Sequence, residues 1–167
     1  MQSVLLVPFP QLAPVAEPWL ERSVGARPSH GIPPHVTLLF PFPPPDAAVI
    51  AATRDALAGL EVFDVRFHDL RRFDQTSVLY LAPDPDEPFV RATEALAARF
   101  PEWPPYVGEF TTVVPHLTVA WGDALDEAQK ALSPLLPLHG RAREAMLLTE
   151  VEEHRWEPQA QFPFGGR

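Results

Sequence analysis

Cysteine is absent from this chain of 167 residues. Without thiols, the protein has no disulfide framework, no thiolate metal ligand and no cysteine nucleophile. Chains without disulfides are typical of reducing compartments, so we expect a cytoplasmic protein.

Positive charge is scarce as well. Lysine occurs once, at Lys130, and the formal net charge is −9. Proteins that hold long nucleic acid neutralise its phosphates with many Lys and Arg contacts, so long nucleic acid is not an expected partner. A small anionic ligand in a local pocket remains compatible with this charge.

Long apolar runs are also lacking. No stretch reaches the roughly 20 apolar residues that a membrane-spanning helix needs. The opening MQSVLLVPFP has neither the positive start nor the cleavage site of a secretory signal. We therefore expect no membrane partner.

Proline, by contrast, is abundant, with 22 residues that lie between apolar runs, as is typical of loops. The apolar pattern predicts strands over 3–7, 35–40, 62–73, 77–83, 116–121, 141–152 and 154–160, and helices over 15–24, 47–58, 88–100 and 124–132. The expected helix N-caps are Asp46, Asp84 or Asp86, and Asp123. A strand that begins with His and precedes a capped helix occurs once in each half. This order predicts one α+β domain, residues 1–167, built from two pseudo-symmetric lobes.

The two strands that begin with histidine share a short motif. It reads Pro34-His35-Val36-Thr37-Leu38 in the first half and Pro115-His116-Leu117-Thr118-Val119 in the second. Because side chains alternate along a strand, His and Thr share one face while the intervening apolar residues point into the core. The doubled motif favours a shared function over the plainer alternative, two strand-start histidines that cap loops.

Two such strands facing each other form a pocket suited to phosphodiester chemistry. Displacement at phosphorus needs a base for the attacking oxygen and an acid for the leaving oxygen, and histidine can do either near neutral pH. His35 and His116 are the predicted catalytic residues, with the base and acid roles left open. Thr37 and Thr118 are the predicted phosphate-binding residues, because hydroxyls donate hydrogen bonds to non-bridging oxygens. This scheme requires no metal and no cofactor.

A metal site is not predicted elsewhere either. Close spacings of metal ligands, such as His-x-x-x-His or His-Glu-x-x-His, do not occur among the six histidines. The acidic stretch beside His154 is more typical of a solvated strand face.

Several stretches besides the motif resemble a known family: HVTLLFPF, VLYLAP, EPF, ARFPEWPPY and VPHLTVAWG. Over most of its length the chain resembles the two-histidine phosphoesterase superfamily, which includes 2′-5′ RNA ligase-like and cyclic phosphodiesterase proteins. The resemblance implies two ferredoxin-like lobes whose antiparallel sheets flank a V-shaped central cleft. It also implies metal-independent hydrolysis or ligation of 2′,3′-cyclic or 2′-5′ phosphodiesters, with a small nucleotide or RNA end as the substrate. On this basis His35 and His116 match the catalytic histidines, and Thr37 and Thr118 match the phosphate-holding threonines.

One position departs from the family pattern. Many ligase-like relatives carry arginine shortly after the second motif, as in HLTLGR, where this chain has Trp121. A cationic phosphate contact would then have to come from elsewhere. The arginines on or near predicted strands are Arg71, Arg72, Arg141, Arg143 and Arg155. By strand alternation, Phe40 and Trp121 should face the core unless the strands bulge.

Four loop residues are candidate substrate contacts: Arg27, His30, Trp103 and Tyr106. Arg27 and His30 could reach a phosphate from the rim of the pocket. Trp103 and Tyr106 could stack on a nucleobase. The alternatives are solvated loop residues for the first pair and packing onto the core for the aromatic pair.

Three functions therefore compete. The first is a phosphodiesterase that hydrolyses or reversibly ligates a cyclic or 2′-linked phosphate. The second is a module that binds a nucleotide or phosphate without turnover, and the third is a structural or protein-interaction domain. Nothing in the sequence demands more than a monomer, which is the expected state.

Overall fold

Eight β-strands and four α-helices make up the computed structural model, which describes residues 1–24, 29–73, 75–110 and 112–165. The strands are β1 Ser3–Pro8, β2 His35–Leu39, β3 Phe63–Phe73, β4 Val78–Asp84, β5 Leu117–Trp121, β6 Leu138–Ala142, β7 Glu144–Glu152 and β8 Arg155–Pro163. The helices are α1 Ala13–Val24, α2 Ala47–Ala56, α3 Glu87–Arg99 and α4 Leu125–Leu132. No described helix is both long enough and apolar enough to cross a membrane.

The strands form one curled antiparallel sheet in the order β6-β3-β4-β5-β2-β1-β7-β8. Its two halves, β6-β3-β4-β5 and β2-β1-β7-β8, meet where β5 pairs with β2 through a single residue pair, Val36 with Leu117. Each half contributes one of the two His-x-Thr strands to this junction. The arrangement confirms the predicted α+β fold with two pseudo-symmetric lobes.

The main core lies between the helices and one face of the sheet. Helix α1 follows β1 but packs against β5 of the other half, and α3 follows β4 but packs against β2. Fully buried residues of both halves, such as Leu5, Phe67, Leu81 and Leu117, belong to the same apolar cluster. Since Val36 and Leu117 point into this core, the alternation of a strand directs the motif histidines to the opposite face.

The helix caps agree with the sequence in part. Asp46 caps α2, with its Oδ1 accepting a hydrogen bond of 2.7 Å from the Val49 N–H. Asp86 stands at the N-cap of α3 but makes no capping side-chain bond there. The prediction for Asp123 is wrong, because a short 3₁₀ turn, Gly122–Ala124, intervenes and leaves Ala124 at the N-cap of α4.

The predicted strand over 141–152 is two strands in the structure. β6 lies at one end of the sheet beside β3, whereas β7 pairs with β1 in the other half. Gly140 made β6 hard to recognise, since glycine weakens a strand pattern. A Cβ at Gly140 would lie 2.6 Å from Phe9 Cδ1, so the missing side chain makes room for the buried Phe9 ring.

Candidate active site

The two His-x-Thr strands lie side by side at the centre of the sheet. Val36 pairs with Leu117 in antiparallel register, which puts His35 opposite Thr118 and Thr37 opposite His116. Cross-strand neighbours of this kind have Cβ atoms about 5 Å apart, and diagonal ones, such as the two histidines here, lie about 7–8 Å apart. All four side chains line a single cleft of about 1020 Å³.

Both imidazoles are held by their own backbone in the same way. His35 Nδ1 donates to the Pro33 carbonyl at 2.8 Å, and His116 Nδ1 donates to the Val114 carbonyl at 2.7 Å. Because a carbonyl oxygen only accepts, Nδ1 must carry the proton in each ring. The free lone pair of the neutral ring is therefore on Nε2, the nitrogen on the far edge from the strand backbone.

The cleft holds the histidines in their neutral form. Burial lowers the pKa of His35 to about 4; the bond to the Pro33 carbonyl opposes this shift, and the charge on His116 adds to it. Burial also lowers the pKa of His116, against the effect of its bond to Val114. At neutral pH each Nε2 can therefore accept a proton.

Aromatic rings surround His116. Phe73 lies edge-on to its imidazole with ring centroids 5.0 Å apart, and Tyr80 lies 5.6 Å away. Phe73 and Tyr80 are themselves stacked at 4.2 Å. No motif in the sequence points to these two neighbours, because their approach depends on the pairing of β3 with β4 and of β4 with β5.

A bulge in each His-x-Thr strand changes which way its last residues point. In β2, Thr37 and Leu39 pair with the consecutive residues Leu6 and Leu5, so Leu38 is the extra residue. In β5, Thr118 and Ala120 pair with consecutive residues of β4, which leaves Val119 as the extra one. The two bulges occur at the same place in the motif, immediately after the threonine.

These bulges are the stated exception to the expectation that Phe40 and Trp121 face the core. An extra residue reverses the alternation of side chains beyond it. Trp121 therefore lines the cleft together with His116, with 38% of its surface exposed. Phe40 packs against a separate small apolar cluster formed by Val4, Leu6 and Leu148 instead of the main core.

The structure separates the four candidate substrate contacts. His30 and Tyr106 line the cleft, whereas Trp103 is half-buried and lies outside its lining. Arg27 lies outside the described residues. Burial raises the pKa of Tyr106, partly offset by a hydrogen bond with Thr37. Tyr106 also has a positive φ of 50°, and its N–H donates to the Phe40 carbonyl at 2.6 Å, which ties its loop to the end of β2.

The segment before His35 is anchored on the β7–β8 hairpin. The His30 N–H donates to the His154 carbonyl at 2.8 Å, and the Trp156 N–H donates to the His30 carbonyl at 2.9 Å. Gly31 has a φ of +91°, and a Cβ there would lie 2.1 Å from the Trp156 carbonyl oxygen. This close approach requires glycine and fixes the wall of the cleft beside His35.

Charged side chains of both signs reach the cleft. Of the five arginines considered from the sequence, Arg72 lines it, but its guanidinium bonds Asp126 at 2.7 Å and Gln129 at 2.9 Å on α4. Glu17 and Glu21 of α1 line the same cleft. Within residues 1–24, 29–73, 75–110 and 112–165, no group of three or more His, Asp or Glu side chains is arranged to hold a metal ion.

Solved structures share this fold over nearly the whole chain. TT0787 of Thermus thermophilus has 21% sequence identity and a TM-score of 0.65, with 99% of both chains covered. E. coli LigT complexed with 3′-AMP has 16% identity and a TM-score of 0.64, with 99% of this chain and 98% of LigT covered. E. coli LigT complexed with NADP+ has 17% identity and a TM-score of 0.62, covering 98% and 96% of the two chains.

This fold, with a His-x-Thr strand from each half at its centre, is that of the two-histidine phosphoesterases. The family described as the 2′-5′ RNA ligase superfamily matches residues 8–156, and the chain belongs to it. No curated protein matches the sequence significantly. The family and the fold together support a phosphodiesterase or ligase activity.

Proposed function

We propose that the protein is a phosphodiesterase that hydrolyses, or in reverse ligates, 2′,3′-cyclic or 2′-5′ phosphodiesters of a nucleotide or RNA end. The observation that carries this proposal is the convergence of His35 and His116 on one cleft, each with Nδ1 bound to a carbonyl. Two bases on either side of one phosphorus suit in-line displacement, in which the attacking and leaving oxygens lie on opposite sides.

The reaction divides between the two histidines. The Nε2 of one takes a proton from the attacking water while the Nε2 of the other gives a proton to the leaving ribose oxygen. Thr37 and Thr118 line the same cleft and donate hydrogen bonds to the non-bridging oxygens, where negative charge concentrates. The scheme uses no metal and no cofactor.

The different environments of the two histidines favour a division of roles. His35, whose pKa is lowered to about 4, stays unprotonated over a wide pH range and is suited to be the base. His116 then takes the role of the acid, although burial lowers its pKa as well. A bound phosphate anion favours the protonated form of a nearby histidine and so helps to supply the required proton.

Complexes of a structural neighbour support a small nucleotide substrate. E. coli LigT has been crystallised with 3′-AMP, with ATP and with NADP+. We propose that the cleft of this chain binds a nucleotide of similar size. The single domain over 1–167, the monomeric state and the cytoplasmic location remain predictions.

A substrate panel tests the proposal. Nucleoside 2′,3′-cyclic phosphates and 2′-5′ dinucleotides are incubated with the protein, with EDTA and without added metal, and the products are identified by mass. The expected result is a nucleoside monophosphate from the cyclic substrates or cleavage of the 2′-5′ linkage. Activity that disappears with EDTA would contradict the metal-independent scheme.

The alternative is a binding module that holds a nucleotide without turnover. The low pKa of His35 favours it, because two unprotonated histidines supply no general acid. Saturable binding of the cyclic nucleotides with no product at any pH between 4 and 8 would support this alternative over the enzyme.

A further inference from the structure

Trp121 offers the cleft a flat apolar surface next to the paired histidines. The bulge at Val119 turns its side chain out of the core and into the space that His116 and Thr118 line. Thr118 and Trp121 pair with Tyr80 and Val78, which are two residues apart on β4, so the two positions lie about 7 Å apart along the strand. That separation is within the length of one nucleotide, so a base attached to a phosphate at Thr118 can reach the indole.

Other aromatic side chains line the same cleft. Phe110 is 50% exposed and meets Tyr106 edge-on, with ring centroids 5.7 Å apart. Phe73 lines the cleft beside His116. Exposed rings of this kind bind a base through its face, because every nucleobase has a π surface.

The charges at the cleft disfavour additional phosphates on the same ligand. Glu17 and Glu21 are four residues apart on α1, so they share one face of the helix, and both are exposed and line the cleft. Each carboxylate repels a terminal phosphate, which carries nearly two negative charges, more than a diester with a single charge. The guanidinium of Arg72 is already bound to Asp126 and Gln129, so it counters this repulsion weakly.

We propose that the cleft selects a nucleotide whose only charge is the reacting diester and whose base stacks on Trp121, and that Glu17 and Glu21 discriminate against a further terminal phosphate. The inference rests on the proposed function, since it assumes that a phosphodiester occupies the space between the two histidines. It narrows the substrate class to nucleoside 2′,3′-cyclic phosphates, or linkages, with an unphosphorylated 5′ end.

The test compares three ligands that share the cyclic phosphate: the nucleoside 2′,3′-cyclic phosphate, the same compound with a 5′-phosphate, and a ribose 2′,3′-cyclic phosphate without a base. Binding is measured by calorimetry and turnover by product mass, at low and high salt. We expect the 5′-phosphate to weaken binding about tenfold at low salt, and less at high salt, where charges are screened. Loss of the base should weaken binding about ten- to a hundredfold.

Variants assign these effects to residues. Trp121→Ala should weaken binding of the base-containing ligands about ten- to a hundredfold and leave binding of the ligand without a base unchanged. Trp103→Ala, outside the cleft lining, should leave binding of all three ligands unchanged. Glu17→Gln with Glu21→Gln should remove most of the 5′-phosphate penalty.

Two further variants complete the set. The double variant Glu61→Gln with Glu94→Gln changes the net charge equally at exposed sites outside the cleft lining, and it should keep the penalty. Trp121→Arg, which adds a cation without restoring the indole, should bind the 5′-phosphorylated ligand better than Trp121→Ala does, a gain that misfolding cannot produce.

The outcomes separate this inference from the proposed function. Selective binding without turnover would support the inference and contradict the enzyme. Two results would overturn the inference and leave the proposed enzyme activity unaffected. One is equal turnover of the cyclic phosphate with and without the 5′-phosphate. The other is a loss of turnover in Trp121→Ala that is as large for the ligand without a base as for the ligand with one. A protein that neither binds nor converts any of the three ligands would overturn both.

Discussion

Protonation of His35 should destabilise the protein in mild acid. Burial lowers the pKa of this imidazole from 6.5 to about 4 in the folded state. Between these two values the unfolded chain binds a proton that the folded chain does not, so stability is full above pH 6.5 and falls as the pH drops towards 4. The interval spans about 2.5 pH units, and at 1.36 kcal/mol per unit the full loss is about 3 kcal/mol, of which about 2 kcal/mol is lost by pH 5.

Chemical denaturation between pH 7 and pH 4 measures this loss. The perturbation is His35→Asn, whose side-chain amide can still donate a hydrogen bond to the Pro33 carbonyl but does not titrate. Carboxylates elsewhere contribute equally to both proteins, so the difference between their curves isolates His35. The variant should lose about 3 kcal/mol less than the wild type over this range.

A control variant tests whether the removal of any histidine has the same effect on the pH dependence of stability. His139 is exposed on β6 at the edge of the sheet, so His139→Asn should follow the wild-type curve. Parallel stability curves for the wild type and His35→Asn would refute the argument that His35 is held neutral by its surroundings.

Two more predictions concern the cleft wall and the pH dependence of the reaction. Gly31→Ala should cost at least about 2 kcal/mol of unfolding free energy, because its left-handed backbone disfavours a side chain and the new methyl group would collide with the Trp156 carbonyl. Gly59→Ala, where nothing lies within 4 Å of the added Cβ, should change the free energy of unfolding little. Equal losses of unfolding free energy in the two variants would contradict the claim that the close contact at Gly31 requires glycine. For catalysis, kcat/KM should be greatest in mild acid, since His35, with a pKa of about 4, must be unprotonated while His116, whose pKa burial lowers, must be protonated. An optimum above pH 7 would contradict this assignment of roles.

The alternation of side chains along a strand explains why the sequence predicted the two His-Thr pairs of the site. Because His and Thr are two residues apart in each motif, His35 with Thr37 and His116 with Thr118 had to share one face. The structure brings the two pairs together in one cleft. The direct pairing of these two strands was not predicted, since strand order depends on contacts between distant parts of the chain.

Tertiary packing explains the errors. The extra residue at Val119 reverses the side-chain alternation before Trp121, and no property of the local sequence marks the bulge. Gly140 made β6 hard to recognise from the sequence. The glycine is needed there because a side chain would collide with the ring of Phe9, which comes from a distant part of the chain. Asp123 satisfies the composition rule for a helix cap, but the chain makes a 3₁₀ turn there first.

The turnover of a nucleoside 2′,3′-cyclic phosphate by single histidine variants tests the central claim most directly. If His35 and His116 act as a base and an acid on one phosphorus, His35→Ala and His116→Ala should each lower kcat by at least about a hundredfold while the protein stays folded. Full activity in both single variants would contradict the two-histidine mechanism.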